Sequence, residues 1–334
     1  MSEPIQYGSN AWLPKENGAP RRHSRPKRDR RSPAFRRQWL AGRKLNKEYE
    51  RDLVPGNFLE LWPPHLDEDS TTYMEEGSGK DKRKVPVAWM THESFRWTTI
   101  PKSSWRWLLT KAIARFIILV GTPFVALAFV LLILSDTYTL ESLLLDSGVK
   151  FFKYVGAPCL ILWFGIGFLE RFFPDLIYKF PKGPLWEFNR RTGLVTLFED
   201  PDVPGQSGKV QWQSPFEEFD GYVQMGPTSH GLPLYYLVMA HRHREEAMYL
   251  TAFQAASSSS HSHKALWNFW CQYMDSTAPL PDIPLLEPHR HEDPVTAEYD
   301  KQTGRDPRYW RDMDEQTYAI KTKQMYERCR LEFG

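Results

Sequence analysis

The chain has 334 residues, a formal charge of +2, 41% hydrophobic and 14% aromatic residues, and three cysteines. Cys159, Cys271 and Cys329 form no CxxC pair and no even framework, which excludes a disulfide scaffold and a cysteine zinc finger and suits reduced thiols. The near-neutral total conceals a strongly basic N-terminal stretch and a mixed, slightly acidic remainder.

Residues 1–51 read as a basic, disordered leader. The first twenty are polar and carry no hydrophobic period. From Arg21 to Arg51 stand thirteen Lys or Arg against three acids. Three readings of this run stay open: a solvated tail, an attachment to anionic lipid headgroups, or a nucleic-acid arm. The lipid reading rests on Arg21, Arg22, Arg25, Lys27, Arg28, Arg30 and Arg31. Nucleic acid is the least favoured partner, because Phe35 and Trp39 are the only aromatics in the run and no reader fold accompanies it.

Residues 52–107 form a juxtamembrane segment. A short apolar cluster (Leu53, Val54, Phe58, Leu59, Leu61, Trp62) ends at Pro63–Pro64. STTYMEE and KVPVAWM then read as a hairpin about a Gly-Ser turn, too small to stand alone and expected to add to the sheet of the C-terminal half.

Two membrane helices with a short loop are expected over 108–173. Phe116–Leu134 holds nineteen residues without a charge, close to the roughly twenty needed to cross about 30 Å of hydrocarbon. Tyr154–Leu169 is shorter and reads as a second span, with a buried or re-entrant helix as the alternative. Pro123 and Pro158 predict kinks rather than breaks. Arg96, Lys102, Arg106, Lys111 and Arg115 precede the first span, Lys150 and Lys153 lie in loop 135–153, and Arg171, Lys179, Lys182, Arg190 and Arg191 follow the second. That distribution predicts both long segments in the cytoplasm. No apolar h-region near Met1 points to a cleaved signal peptide. The loop sequence TLESLLLDSG predicts interfacial helical turns.

From 184 to 276 the pattern is β-rich. Six short strands (LWEFN, LVTLF, KVQWQ, FEEFDGYVQ, LPLYYLVMAH, EAMYLTAF) are separated by turn signals, and HKALWNFWCQYM places Leu266, Phe269, Trp270 and Tyr273 on one helical stripe. A bent antiparallel sheet closed by a C-terminal helix has the element order of pleckstrin-homology-like domains, an analogy that carries no function. Residues 277–334 read as a Pro-rich docked tail, extended over the domain surface, with an amphipathic helix at Glu315–Leu331. The fold class is thus an α+β membrane protein.

The order STTYMEE, two apolar helices, LWEFNRRTGLV, WNFWCQYM and DPVTAEYDKQTGRDPRYWRDMD resembles an uncharacterised family of proteobacterial inner-membrane proteins, a domain of unknown function often encoded near type VI secretion effectors. The resemblance covers roughly residues 70–315 and brings no catalytic residues with it. It implies an accessory or immunity protein at the bacterial inner membrane whose partner is a secretion effector or secretion-system protein.

Chemistry has few candidates. His241/His243, His261/His263 and His289/His291 are His-x-His pairs, a chelating spacing if each lies on a strand. Glu217–Glu218, Glu245–Glu246 and Asp312/Asp314 are paired acids of the kind found on surfaces. There is no GxSxG, HExxH or Gly-rich phosphate loop. No enzyme, cofactor or metal is expected. Arg305, Arg308, Tyr309, Trp310 and Arg311 are the expected protein-binding residues, with docking onto their own domain as the alternative. The competing functional class is a membrane-surface scaffold or sensor that reads anionic lipids through the leader and the β-domain.

Overall fold

The computed structural model describes residues 7–8, 11–13, 15–16, 19–20, 42–60, 73–76, 83–86, 89–98, 101–135, 141, 147–179, 182–227, 232–244, 247–252 and 255–334. The seven basic residues expected to meet lipid, from Arg21 to Arg31, lie outside these, as do Glu245–Glu246 and most of the loop sequence TLESLLLDSG.

All thirteen described strands pair antiparallel. β1 (Lys15–Glu16) and β2 (Ala19–Pro20) pair with each other; β3 is Arg43–Lys44. β4 (Tyr73–Glu76) and β5 (Arg83–Pro86) form the expected hairpin, but as a separate two-stranded sheet. The following residues join the larger sheet instead: β6 (Trp89–Met90) and β7 (Ser94–Trp97) extend β8 (Trp186–Asn189), β9 (Leu194–Phe198) and β10 (Val210–Pro215) in the order β10-β9-β8-β7-β6. A second sheet runs β13-β12-β11-β3, built from β11 (Phe219–Pro227), β12 (Pro233–His241) and β13 (Ala247–Tyr249). The six C-terminal strands read from the sequence are all present. Gly193 ends the β8–β9 turn at φ 71°, a left-handed position that glycine takes without steric cost.

The His261–Met274 helix is the centre of the β-rich part, and twelve of its residues are buried. Its aromatic stripe enters a core in which Trp270 stacks on Phe188 at 4.3 Å and Phe269 on Phe58 at 4.4 Å. Gly221 lets the helix approach β11, since a Cβ there would lie 2.5 Å from Trp267 Cδ2. The aromatic abundance is therefore spent on the core rather than on an open pocket.

Residues 42–51, read from the sequence as the end of the leader, make specific contacts with the β-rich part. Residues 42–60 are ordered and strap the outer side of this helix. β3 pairs with β11 at Arg43↔Val223 and Lys44↔Tyr222. Trp267 Nε1 donates to Asn46 O, and Asn268 Nδ2 donates to the carbonyls of Glu50 and Leu53 while its Oδ1 accepts from Glu50 N. Gln272 Oε1 accepts from Asp52 N, one turn further on. Side-chain amides four residues apart on one helical face satisfy the strap's backbone, which explains how a segment without strand or helix period is held. Ahead of it, Trp12 is buried against Phe216.

Two helices stand apart from this core. Lys102–Leu134 is continuous over 33 residues and Val149–Phe172 over 24, about 50 and 36 Å. The second is longer than its uncharged run because Phe151, Phe152 and Phe172 extend it. Neither proline breaks its helix. Instead a π-helical turn, Ile117–Gly121 or Phe152–Gly156, precedes each. Pro123 and Pro158 lack an N–H and crowd the carbonyl four residues back, at Leu119 and Tyr154, and the widened turn accommodates both effects.

Candidate functional site

Three surfaces or clusters carry the residues singled out in the sequence: the apolar helix pair, the tail at 277–314, and the histidines.

The helix pair presents unburied apolar side chains along its length, including Phe124, Leu134, Ile161 and Phe164. Lys111 and Glu170 pair between the two helices, and Tyr178 donates to Glu170 Oε1 at 3.1 Å. The base is fixed to the β-domain. Lys102 N donates to Asp202 Oδ2 at 2.7 Å, Lys102 Nζ to Asp200 Oδ2 at 2.5 Å, and Lys179 N to buried Ser104 Oγ at 3.0 Å. The outer ends of both helices thus meet on one side of the pair, where Asp200 and Asp202 of the β9–β10 loop hold Lys102.

The tail is docked onto its own domain, the alternative given for Arg305, Arg308, Tyr309, Trp310 and Arg311. Trp310 is buried, its Nε1 donating to Asp282 Oδ1 at 2.9 Å and its backbone N to Glu287 Oε2 at 2.7 Å. Arg305 donates to Asp282 Oδ1 at 2.8 Å and Glu287 Oε2 at 3.1 Å, and Arg311 N to Glu287 Oε1 at 3.2 Å. Tyr309 is half-buried beside Trp310. Arg308 alone of the five is strongly exposed, and it pairs with Asp312 at i+4. Burial alone would raise the Asp282 carboxyl, but the Arg305 hydrogen bond and the Arg290 and Arg305 charges outweigh it and hold the group below its ordinary range. The Pro-rich segment before this is not extended throughout: Pro284–Glu292 winds as a 3-10 helix, and Arg290 clamps Asp300 with two hydrogen bonds of 2.8 and 2.6 Å. The next helix, Pro294–Thr303, is capped by Asp293, which accepts from Thr296 N, and ends at left-handed Gly304.

Asp293 also anchors the least expected feature. Arg190, read from the sequence as a flanking positive charge, is fully buried. It donates to the carbonyls of Tyr273 at 2.6 Å and Ala278 at 2.7 Å, and its Nη2 lies 3.6 Å from Asp293 Oδ2. Tyr7 donates to the other Asp293 oxygen at 2.5 Å. Burial, opposed by the Arg190 charge and helped by the Asp293 contact, pushes the Tyr7 phenol up to about 12. No periodicity announces this node, and the neighbouring Arg191, which is exposed, reads the same in sequence.

The His-x-His pairs do not act as pairs. His241 Nε2 meets Glu218 Oε2 at 2.7 Å while its Nδ1 accepts from the backbone N of His243 and Arg244, so both ring nitrogens are engaged. His261 and His263 lie on a helix, where i and i+2 diverge. His261 meets Tyr326, and His263 lies 3.3 Å from Ser257 Oγ, with burial pushing it down to about 4. His289 and His291 are separated by the 3-10 twist, which instead aligns His289 with Glu292. The acidic pairs are engaged too: Glu218 with His241, Asp312 with Arg308, and Asp314 as the cap accepting from Thr317 N. All three thiols are buried; burial raises Cys271 strongly and Cys329 to about 11.

No family model, no curated protein and no solved structure matches the chain.

Proposed function

We propose that this chain is a membrane-anchored, non-catalytic binding protein of the bacterial inner membrane, an accessory or immunity protein of type VI secretion. The helix pair crosses the bilayer as a hairpin. The β-rich, pleckstrin-homology-like domain and both termini lie in the cytoplasm. The observation that carries the anchoring is the helix pair itself: 33 and 24 residues long, with none of the first apolar window and 11% of the second covered by protein. Left in water, that surface would forgo the roughly 25 cal/mol per Å² of apolar burial, which a bilayer supplies. Both outer ends meet at Lys102, Ser104 and Lys179, a geometry that suits flanking segments on one membrane face. The basic flanks support the cytoplasm as that face. Buried thiols and engaged acids support binding over catalysis, and the secretion setting comes from the family resemblance.

Topology is tested with a cysteine reporter. Cys329 is unsuited to this, because burial shields its thiol. Leu331, on the same C-terminal helix, is 81% exposed. Leu331→Cys should react with a membrane-impermeant maleimide only after spheroplasts are lysed, while the native cysteines stay silent until denaturant is added. Labelling of intact spheroplasts would overturn the orientation and make a periplasmic partner the one to seek. The immunity role has its own test. A strain lacking the gene should be killed by sibling cells carrying a functional secretion system, and survival equal to wild type would remove it.

A further inference from the structure

Residues three apart eclipse on a 3-10 helix, so within Pro284–Glu292 the side chains of His289 and Glu292 share one face. His289 Nδ1 lies 2.8 Å from Glu292 Oε2. His291, two residues on from His289, is turned to solvent. The turn between β6 and β7 brings His92 to the same carboxylate: its Nδ1 also lies 2.8 Å from Glu292 Oε2, and the two imidazole centroids are 6.3 Å apart. Donor atoms of the three residues all lie within 4.8 Å of one another. Both its ring nitrogens are shielded from solvent, and Nε2 has no hydrogen-bond partner among the described residues.

We propose that His92, His289 and Glu292 form a binding site for a divalent transition-metal ion of the zinc class. Two imidazoles and a carboxylate suit zinc and its first-row neighbours, whereas calcium and magnesium prefer oxygen-only sets. Zinc–nitrogen bonds of about 2.0–2.1 Å in a tetrahedron place donors about 3.4 Å apart, so an ion parts the two 2.8 Å His–Glu292 contacts by about 0.6 Å while holding both imidazoles within reach of one centre. The ion replaces the contacts that His289 and His92 each make with Glu292. Glu93 stands beside the cluster, its Oε1 3.9 Å from His92 Nε2, but Arg191 holds that oxygen at 3.0 Å. Three protein ligands leave a fourth position. It faces solvent, because the His289 and Glu292 side chains are partly exposed, and it is open to water or to a side chain of a bound partner. The ion would tie the β6–β7 turn to the docked tail. This inference stands apart from the membrane reading.

The test uses full-length protein in detergent, purified without a histidine tag, stripped with a chelator and titrated with zinc chloride against a chromophoric competitor. One equivalent per chain is expected, and cobalt in its place should give the visible absorption of a four-coordinate site. His289→Ala and Glu292→Gln should each weaken zinc binding by at least the roughly 10–100-fold that changes around a metal's ligands cost. His291→Ala should bind as wild type does. Both substituted ligands are partly exposed, and an unchanged thermal transition of the stripped variants confirms that they fold. Absence of stoichiometric uptake by the wild type would overturn the site. So would uptake undiminished in both ligand variants, or equally diminished in His291→Ala.

Discussion

Trp310→Ala is expected to lower stability by about 3–5 kcal/mol, the range for emptying a buried aromatic site. The indole fills a space between Tyr309 and Tyr318, whose ring centroids lie 5.3 and 6.4 Å away, and its Nε1 satisfies Asp282. Removing it opens a cavity and costs Asp282 a hydrogen bond while Arg305 remains, so the carboxylate stays paired but loses packing. At roughly 2–4 °C per kcal/mol for a domain of this size, the apparent Tm of the full chain in detergent should fall by about 6–20 °C. Arg308→Ala is the contrast. Its exposed pair with Asp312 contributes within about 1 kcal/mol, so its Tm should hardly move. A Trp310→Ala protein as stable as wild type would show that the tail does not dock as described, and would return Arg305–Arg311 to the list of partner-binding residues.

The same contrast explains what could be read from the sequence. Periodic elements were legible: the six strands from Trp186 to Tyr249, the aromatic stripe of His261–Met274 and the C-terminal helix each repeat at the spacing of their secondary structure, and the two apolar helices stand out as long runs with few or no charges. Elements held by side-chain-to-backbone bonds were not. The strap at 42–60 owes its place to Asn268 and Gln272, more than two hundred residues away, and nothing local in RKLNKEYERD marks it. The spacing of the histidine pairs carried no site for a related reason. Alternation at i and i+2 means one face only on a strand, and two of the three pairs lie on an α-helix or a 3-10 helix. The third member of the proposed metal site, His92, is distant in sequence from His289 and Glu292 and has no spacing to read. Trp310 was singled out correctly as a large aromatic among charges, but composition does not say whether such a residue faces a partner or its own domain.

Arg190→Met should be as damaging as Trp310→Ala or worse, at about 3–5 kcal/mol, because it removes one member of a buried charged pair and leaves the other. Asp293 is 1% exposed and would keep only the Tyr7 hydroxyl and its capping bonds to Thr296. The carbonyls of Tyr273 and Ala278 would lose their donors as well, at the point where the central helix hands over to the tail. Such a loss is a large share of the 5–15 kcal/mol by which domains are stable, so reduced yield and an apparent Tm lower by about 6–20 °C are expected. Arg190→Lys should not restore it, since one ammonium cannot reproduce a planar fork reaching two carbonyls and a carboxylate. Arg191→Met is the control: it removes a neighbouring, half-exposed Arg paired with Glu93 and should cost within about 1 kcal/mol. Adding Asp293→Asn to Arg190→Met removes the uncompensated charge while keeping an N-cap oxygen for Pro294–Thr303. The double variant should therefore recover part of the loss, by a coupling of about 0.5–3 kcal/mol. Equal losses for Arg190→Met and Arg191→Met, or no recovery in the double variant, would mean that the Arg190–Asp293 pair does not organise the junction of sheet, helix and tail.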